Sequence, residues 1–122
     1  MTITRYEEIH AWQEARILVR EVYQITKDDL FAKDYGLKDQ IRRAAVSAMT
    51  NIVEGFSRRS DKDFARFLMI ASASASEVSS LLYVALDQEY VSDQAFKKLY
   101  DHSFKVGAMI NGFAKYLRSS EK

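Results

Sequence analysis

The chain has 122 residues, and its 18 basic and 17 acidic side chains leave a formal net charge of +1 at pH 7. It contains no cysteine, which excludes disulfides, thiolate metal sites and cysteine nucleophiles, and the near-neutral charge excludes a polybasic nucleic-acid-binding chain. The N-terminus has no apolar signal core, and no apolar run approaches about 20 residues. We therefore expect a cytoplasmic protein that does not span a membrane.

The apolar residues recur at helical spacing along almost the whole chain, and proline is absent. This pattern predicts four long helices, over residues 4–26, 36–58, 61–87 and 93–118. Similar lengths and short connections favour antiparallel neighbours. The predicted fold is all-α, a single domain over residues 1–122 that forms an antiparallel up-down-up-down four-helix bundle.

The connections between these helices contain residues that are typical of turns and helix caps. Leu30 and Phe31 interrupt the first polar connection and are expected to pack under it as a plug, and Gly36 is expected to permit the turn into the second helix. Ser60 and Ser92 are predicted N-caps of the third and fourth helices, because a serine hydroxyl can accept a hydrogen bond from an unpaired N–H of the first turn.

The second helix is apolar around more than half of its circumference. Its broad face is formed by Leu37, Ile41, Ala44, Ala45, Ala48, Ile52 and Phe56, and it is widened by Val46, Met49 and Val53. A helix needs only one apolar stripe to join a bundle, so this surplus predicts packing on partner helices and, separately, on another subunit. We expect Ala48 and Ile52, on the innermost line, to tolerate neither large nor charged replacements.

A polar stripe follows the other side of the second helix and extends to the third. It comprises Arg43, Ser47, Asn51, Glu54 and Glu77. The functional interpretation is a binding or catalytic cluster. The structural interpretation, which we prefer, is a hydrogen-bonded seam between helices or subunits, because charged groups among apolar residues must be paired to avoid desolvation costs of several kcal/mol.

Basic side chains are concentrated around the turn between the second and third helices. The candidate nucleic-acid-binding residues are Arg58, Arg59, Lys62 and Arg66, with Lys38, Arg42 and Arg43 one helix-length away. In a monomer these would form an ordinary solvated face. In a closed ring the repeated positive charge would be concentrated enough to bind phosphates.

Candidate catalytic chemistry is scarce. His10 and His102 are the only histidines, and we expect both to be surface residues without a metal or catalytic role. The paired Glu-x-x-His motifs of di-iron bundles, a phosphate-binding glycine loop and a recognisable serine nucleophile are all missing. The sequence therefore predicts no enzyme and no cofactor.

The run GLxxQIRRAAxSxxxNIxEG at residues 36–55, followed by RxS, FxRFLxIA and SxxE, resembles a bacterial four-helix-bundle family. Its members include proteins encoded in intervening sequences of 23S ribosomal RNA, and a distant relative is the accessory protein of diversity-generating retroelements. The family often has proline where this chain has Met49, and glycine where it has Ala73. The resemblance implies a pentameric assembly and, through the distant relative, nucleic-acid binding; it implies no enzymatic activity.

Two hypotheses about function follow. The first is a non-enzymatic, self-assembling protein, a homo-oligomeric ring that binds RNA or DNA weakly and without sequence specificity. The alternative is a protein–protein scaffold or adaptor that uses the same apolar surfaces and has no nucleic-acid role, which the near-zero net charge favours.

Overall fold

The computed structural model describes residues 2–120, so Met1, Glu121 and Lys122, at the ends of the predicted domain, lie outside the described residues. Over this range the chain is all-helical and has no strand. Its elements are a 3-10 turn at Tyr6–Glu8, α1 at His10–Ile25, α2 at Asp29–Lys33, α3 at Tyr35–Phe56, α4 at Asp61–Asp87 and α5 at Asp93–Ser120. The predicted all-α class is confirmed.

The first helix is shorter than its predicted range of 4–26. Ile9 has an extended backbone, with φ −75° and ψ 117°, and it separates the 3-10 turn from α1. Ile9 is nevertheless almost fully buried. The apolar periodicity therefore continues through a break in the helix, which is why the pattern alone placed the start too early.

Four long helices account for most of the packing. α4 contacts α3 on one side and α5 on the other, and α1 contacts both α3 and α5. The ring of Phe64 meets that of Phe113, whereas Tyr83, farther along α4, meets Phe96 near the start of α5. Residue numbers thus rise along α4 as they fall along α5, so these two helices run antiparallel.

The core contains residues from every helix between α1 and α5. Ala48 and Ile52 are fully buried on α3, as predicted. Phe31 of α2 is also fully buried and packs against Tyr90, with 5.3 Å between ring centroids. Leu30 is 61% exposed, so its predicted role in the plug is wrong. Successive helical residues point about 100° apart, and the one-turn α2 can bury only one of the two.

The turn into α3 depends on an acidic cap. The Oδ1 atom of Asp34 accepts a hydrogen bond from the N–H of Leu37 at 3.1 Å, and Oδ2 accepts one from the Tyr90 hydroxyl at 3.0 Å. This second bond raises the pKa of Tyr90, because it stabilises the protonated phenol beside a carboxylate. Gly36 lies inside α3 without a positive φ, so its predicted role in the turn is wrong.

The predicted serine caps are confirmed. The hydroxyl of Ser60 accepts the N–H of Asp63 at 3.1 Å, and the hydroxyl of Ser92 accepts the N–H of Ala95 at 3.0 Å. Each satisfies a backbone donor that the first helical turn leaves unpaired. α4 therefore begins and ends where predicted, at Asp61 and Asp87.

α4 is the most apolar helix. An 18-residue window within it has a mean hydropathy of 1.4, which by length and composition alone reaches the level of a membrane span, and 39% of that window is buried. Packing between α3 and α5 explains the buried part, since core helices of globular proteins reach similar hydropathy. The exposed part of the helix nevertheless includes four large apolar side chains, Met69, Ile70, Tyr83 and Val84.

Gly55 marks the closest approach of α3 to α4. A Cβ atom added there would lie 2.8 Å from Cδ1 of Phe64 and 2.9 Å from Cβ of Phe67. By contrast, a Cβ at Gly112 on α5 would meet nothing within 4 Å. Gly55 and Gly112 thus have opposite environments, one tightly packed and the other open.

We predict that Gly55→Ala lowers the free energy of unfolding by about 1–3 kcal/mol, because overpacking outweighs the gain in helix propensity. Gly112→Ala, the matched control, should raise it by up to about 1 kcal/mol. Urea unfolding followed by circular dichroism measures both. A Gly55→Ala variant as stable as the parent would contradict the close approach of α3 and α4.

Candidate functional site

The turn between α3 and α4 positions two of the predicted basic residues on one aromatic ring. The guanidinium carbons of Arg58 and Arg66 lie 4.5 Å and 4.6 Å from the centroid of the Phe67 ring. Each arginine is also paired with a carboxylate three or four positions before it in the chain, Arg58 with Glu54 at 3.1 Å and Arg66 with Asp63 at 3.2 Å. The two cations are therefore held in place, and neighbouring acids offset part of their charge.

The antiparallel arrangement adds a basic residue that the sequence analysis missed. Arg118, near the end of α5, lies beside the start of α4 and lines a groove of about 500 Å³ together with Lys62 and Arg66. Arg59 is exposed in the adjoining turn. We call Arg58, Arg59, Lys62, Arg66 and Arg118 the basic end. The signal for Arg118 was available in the similar predicted lengths of the last two helices, which bring residues near 118 opposite residues near 62.

The second predicted basic group lies far from this end. Lys38 and Arg58 are 20 positions apart, and a helix rises about 1.5 Å per residue, so the two groups are separated by roughly 30 Å. Arg42 ties α3 to α1, because its Nε donates to Oγ1 of Thr26 at 2.8 Å and its guanidinium covers the Tyr23 ring at 4.3 Å. The structure thus separates the candidate nucleic-acid-binding residues into two groups.

Lys38 and Arg43 complete this second group. The ammonium of Lys38 sits 4.9 Å from the centroid of the Tyr35 ring. Arg43 is exposed and lines a groove of about 510 Å³ in which Asp39 is the acidic residue. This part of α3 therefore presents positive charge that is interrupted by a carboxylate and partly used to attach α1.

The residues of the polar stripe predicted along α3 do not form one connected cluster: some contact α4, and others contact the turn that follows α3. The Ser47 and Ser74 hydroxyls are 2.8 Å apart, and the side-chain amide of Asn51 donates to the carbonyl and hydroxyl oxygens of Ser47 at 2.9 Å and 3.0 Å. Glu77 accepts a hydrogen bond from Gln40 at 3.4 Å. The Ser47–Ser74 and Gln40–Glu77 contacts join α3 to α4. Arg43 and Glu54 lie elsewhere, in the groove and in the Arg58 ion pair described above.

A second polar cluster was not expected from the sequence. The side chain of His102 on α5 is only 13% exposed, with Nδ1 2.5 Å from Oε1 of Glu21 and Nε2 2.9 Å from Oε1 of Glu14. Lys105 approaches Glu14 at 3.5 Å, and Lys98 approaches Glu21 at 4.0 Å. The prediction that His102 is a surface histidine is therefore wrong, because α1 covers its ring.

The imidazole changes the acidity of its neighbour. The hydrogen bond from His102 lowers the pKa of Glu14, the nearby charge of Lys105 adds to the effect, and burial opposes it. The seven-residue spacing of Glu14 and Glu21 places both on one side of α1, and this was the available signal. Their partner became recognisable only when α5 was placed beside α1. His10, in contrast, is exposed at the start of α1.

The imidazole lies between the two carboxylates, with a different ring nitrogen facing each. The three side chains therefore offer no common point for a metal ion. Within residues 2–120, no group of three or more histidine, aspartate, glutamate or cysteine side chains could hold one.

Most of the large exposed apolar side chains among residues 2–120 lie on α4 and α5. On α3, Val46, Met49 and Val53 are half-buried. On α4 six exposed, uncharged residues recur at helical spacing, and the exposed Ile70 and Glu77 lie along one edge of them. We call the six residues the α4 outer face: Met69, Ala73, Ser76, Ser80, Tyr83 and Val84.

A side chain of α5 extends this surface. Phe104 is 69% exposed and stands at the rim of a groove of about 160 Å³ between α4 and α5. The groove is lined by uncharged residues, most of them small, including Ser76, Gly107 and Ala108. An exposed aromatic ring thus stands directly beside a shallow cleft.

Comparison with known proteins agrees with this fold. A family model described as 23S rRNA-intervening sequence protein matches residues 7–112. The crystal structure of a protein of unknown function from the S23 ribosomal protein family of Bacteroides thetaiotaomicron superimposes with a TM-score of 0.78 at 20% identity, covering 86% of this chain and 98% of that one. No curated protein matches. The chain belongs to the 23S rRNA-intervening sequence protein family.

Proposed function

We propose that this protein is a non-enzymatic, self-assembling four-helix bundle, with antiparallel up-down-up-down helices, whose closed homo-oligomer binds nucleic acid weakly and without sequence specificity. The observation that carries the proposal is the uncovered α4 outer face. From Phe67 to Leu86 the helix has one ionisable carboxylate, Glu77, and no basic residue, although a helix face left in water ordinarily carries charge.

A second copy of the chain is the occupant that fits this surface best. A face whose one carboxylate, Glu77, lies at its edge meets its own copy with little like-charge repulsion. The exposed Phe104 ring, beside a cleft of small residues, can insert into the cleft of a second copy, whose own ring can do the same in return. A ring of five subunits is the number that the family resemblance implies. The protein would then be cytoplasmic, because assembly instead of a bilayer covers α4.

The basic end supports the nucleic-acid part of the proposal. Five cationic side chains converge where α3, α4 and α5 meet, and assembly would bring several copies together. The partial neutralisation by Glu54 and Asp63 limits the expected affinity. The second candidate, a scaffold without a nucleic-acid role, is favoured by the same ion pairs and by the net charge of +1.

Of the predictions that follow from this proposal, the first concerns assembly. Ala73→Arg on the α4 outer face and Phe104→Asp on α5 should each convert the oligomer to monomer, because both place a charge in an uncharged contact. Thr50→Arg, on the exposed side of α3, is the matched control and should leave the oligomer unchanged. Light scattering at tens of micromolar measures the mass. A monomeric parent refutes assembly, whereas dissociation by Thr50→Arg alone would move the interface to α3.

The second prediction concerns nucleic acid. Replacing Arg58, Arg59, Lys62 and Arg66 by Gln should weaken binding to single-stranded RNA and DNA while preserving the alkyl contacts with Phe67. The affinity of the parent should fall with salt at a log–log slope of roughly −0.7 to −0.9 per phosphate contact, and the variant should have a shallower slope. The matched control removes four exposed charges elsewhere: Arg20, Lys27, Lys33 and Lys97 to Gln. No binding by the parent at about 50 mM salt would favour the scaffold.

The third prediction tests the partial neutralisation. Glu54→Gln removes the carboxylate that pairs with Arg58 and should strengthen binding severalfold at low salt, because Arg58 then interacts with phosphate without a competing anion. Fluorescence anisotropy with a labelled oligonucleotide measures the change. Unchanged or weaker binding would indicate that Arg58 does not contact the nucleic acid.

A further inference from the structure

The contacts of His102 require more protons than a neutral imidazole has. Both ring nitrogens face carboxylate oxygens, at 2.5 Å for Glu21 and 2.9 Å for Glu14. An ionised carboxylate can only accept hydrogen bonds, and a neutral imidazole carries one N–H. Two good hydrogen bonds therefore need the imidazolium form, in which both nitrogens donate.

We propose that His102, Glu14 and Glu21 form a proton-operated clasp that fastens α1 to α5 while the imidazole carries two protons and releases when it loses one. On release, one ring nitrogen presents a lone pair to a carboxylate oxygen, and a contact that attracted becomes repulsive. The position of the clasp makes it influential. α1 packs less extensively on α5 than α4 does, so a single polar cluster is a larger part of what holds it.

Cationic side chains of α5 accompany both glutamates of the clasp. Lys105 lies 3.5 Å from Glu14 and Lys98 lies 4.0 Å from Glu21, both on α5, so each carboxylate has a cation beside it as well as the imidazole. The other nearby ion pair of α5, Lys97 with Asp101, is exposed and internal to that helix. α4, on another side of α5, contributes the Tyr83 ring, which packs against Tyr100 and brings no charge at neutral pH.

The direction of the pH dependence follows from these protonation states. The clasp contributes stability while the imidazole carries both protons, so this contribution is present at low pH and is lost as pH rises and one proton leaves. The lowered pKa of Glu14 affects the stability of the fold at acidic pH. Its contribution is present above the usual glutamate value of 4.5 and is lost as pH falls below it.

The test measures urea unfolding at pH 5.5, 7.0 and 8.5. Between pH 5.5 and 8.5 the unfolding equilibrium constant of the parent should rise about tenfold, as expected for the loss of one hydrogen bond to a charged group. His102→Gln should remove this rise. His10→Gln, the matched control at the other histidine, which is exposed, should leave it intact.

Glu21→Gln separates the clasp from general effects of pH. The amide of Gln can donate to the unprotonated Nδ1 of a neutral imidazole, so this variant needs only one proton on His102. Its stability should be nearly constant from pH 5.5 to 8.5, and at pH 8.5 it should match or exceed that of the parent. The proposal is overturned if the parent shows no loss of stability over this range, or if Glu21→Gln keeps the full loss. Because Glu21→Gln preserves size and shape, the test remains decisive if His102→Gln fails to fold.

Discussion

The packing of α4 is the constraint on which the rest of the structure depends. From Phe67 to Leu86 this helix has a single ionisable carboxylate, and its buried side chains contact both α3 and α5. At about 25 cal/mol for each Å² of apolar surface removed from water, such burial is the main term that holds the two neighbours in place. Gly55 allows α3 to approach closely enough for the Phe64 and Phe67 side chains to fill the space between the helices.

Polar contacts then determine the register of the helices that α4 assembles. The Ser47–Ser74 hydrogen bond and the Gln40–Glu77 contact connect α3 to α4, Arg42 connects α3 to Thr26 of α1, and His102 connects α5 to α1. Apolar burial is non-directional and would tolerate sliding by a turn. A hydrogen bond between two partly buried side chains does not, since a slipped helix would leave its polar groups without partners. The three partly buried contacts, which are all but the exposed Gln40–Glu77 pair, are thus important for specificity more than for total stability.

The charged clusters are partly neutralised by neighbouring residues of opposite charge. At the basic end, the arginines that cover Phe67 also pair with Glu54 and Asp63, and at the clasp Lys98 and Lys105 accompany two glutamates. Each cluster is compensated locally, which agrees with a net charge of +1 for the whole chain. The uncovered surface of the molecule is consequently apolar along α4 and modestly basic at one end. Self-association and weak phosphate binding are the interactions that we propose for this surface.

The helical content, the limits of α4 and the serine caps of α4 and α5 could be predicted from the sequence, because each depends on residues within a few positions of one another. The start of α1 and the role of Gly36 could not, since Ile9 is buried without being helical and Asp34 supplies the cap of α3. Local patterns report burial and propensity, and both can be satisfied by more than one backbone path.

The candidate sites show the same difference between residues that are close in the chain and residues that only packing brings together. Arg58, Arg59, Lys62 and Arg66 are close in the chain, so their clustering was evident from the sequence. Arg118 joins them, and His102 meets Glu14 and Glu21, only because antiparallel helices bring together residues that are 52 to 88 positions apart. The sequence by itself determined which residues are apolar, charged or capable of capping. The tertiary structure alone decided which of them face each other, because the distances that fix a hydrogen bond, an ion pair or an uncovered surface depend on how whole helices pack.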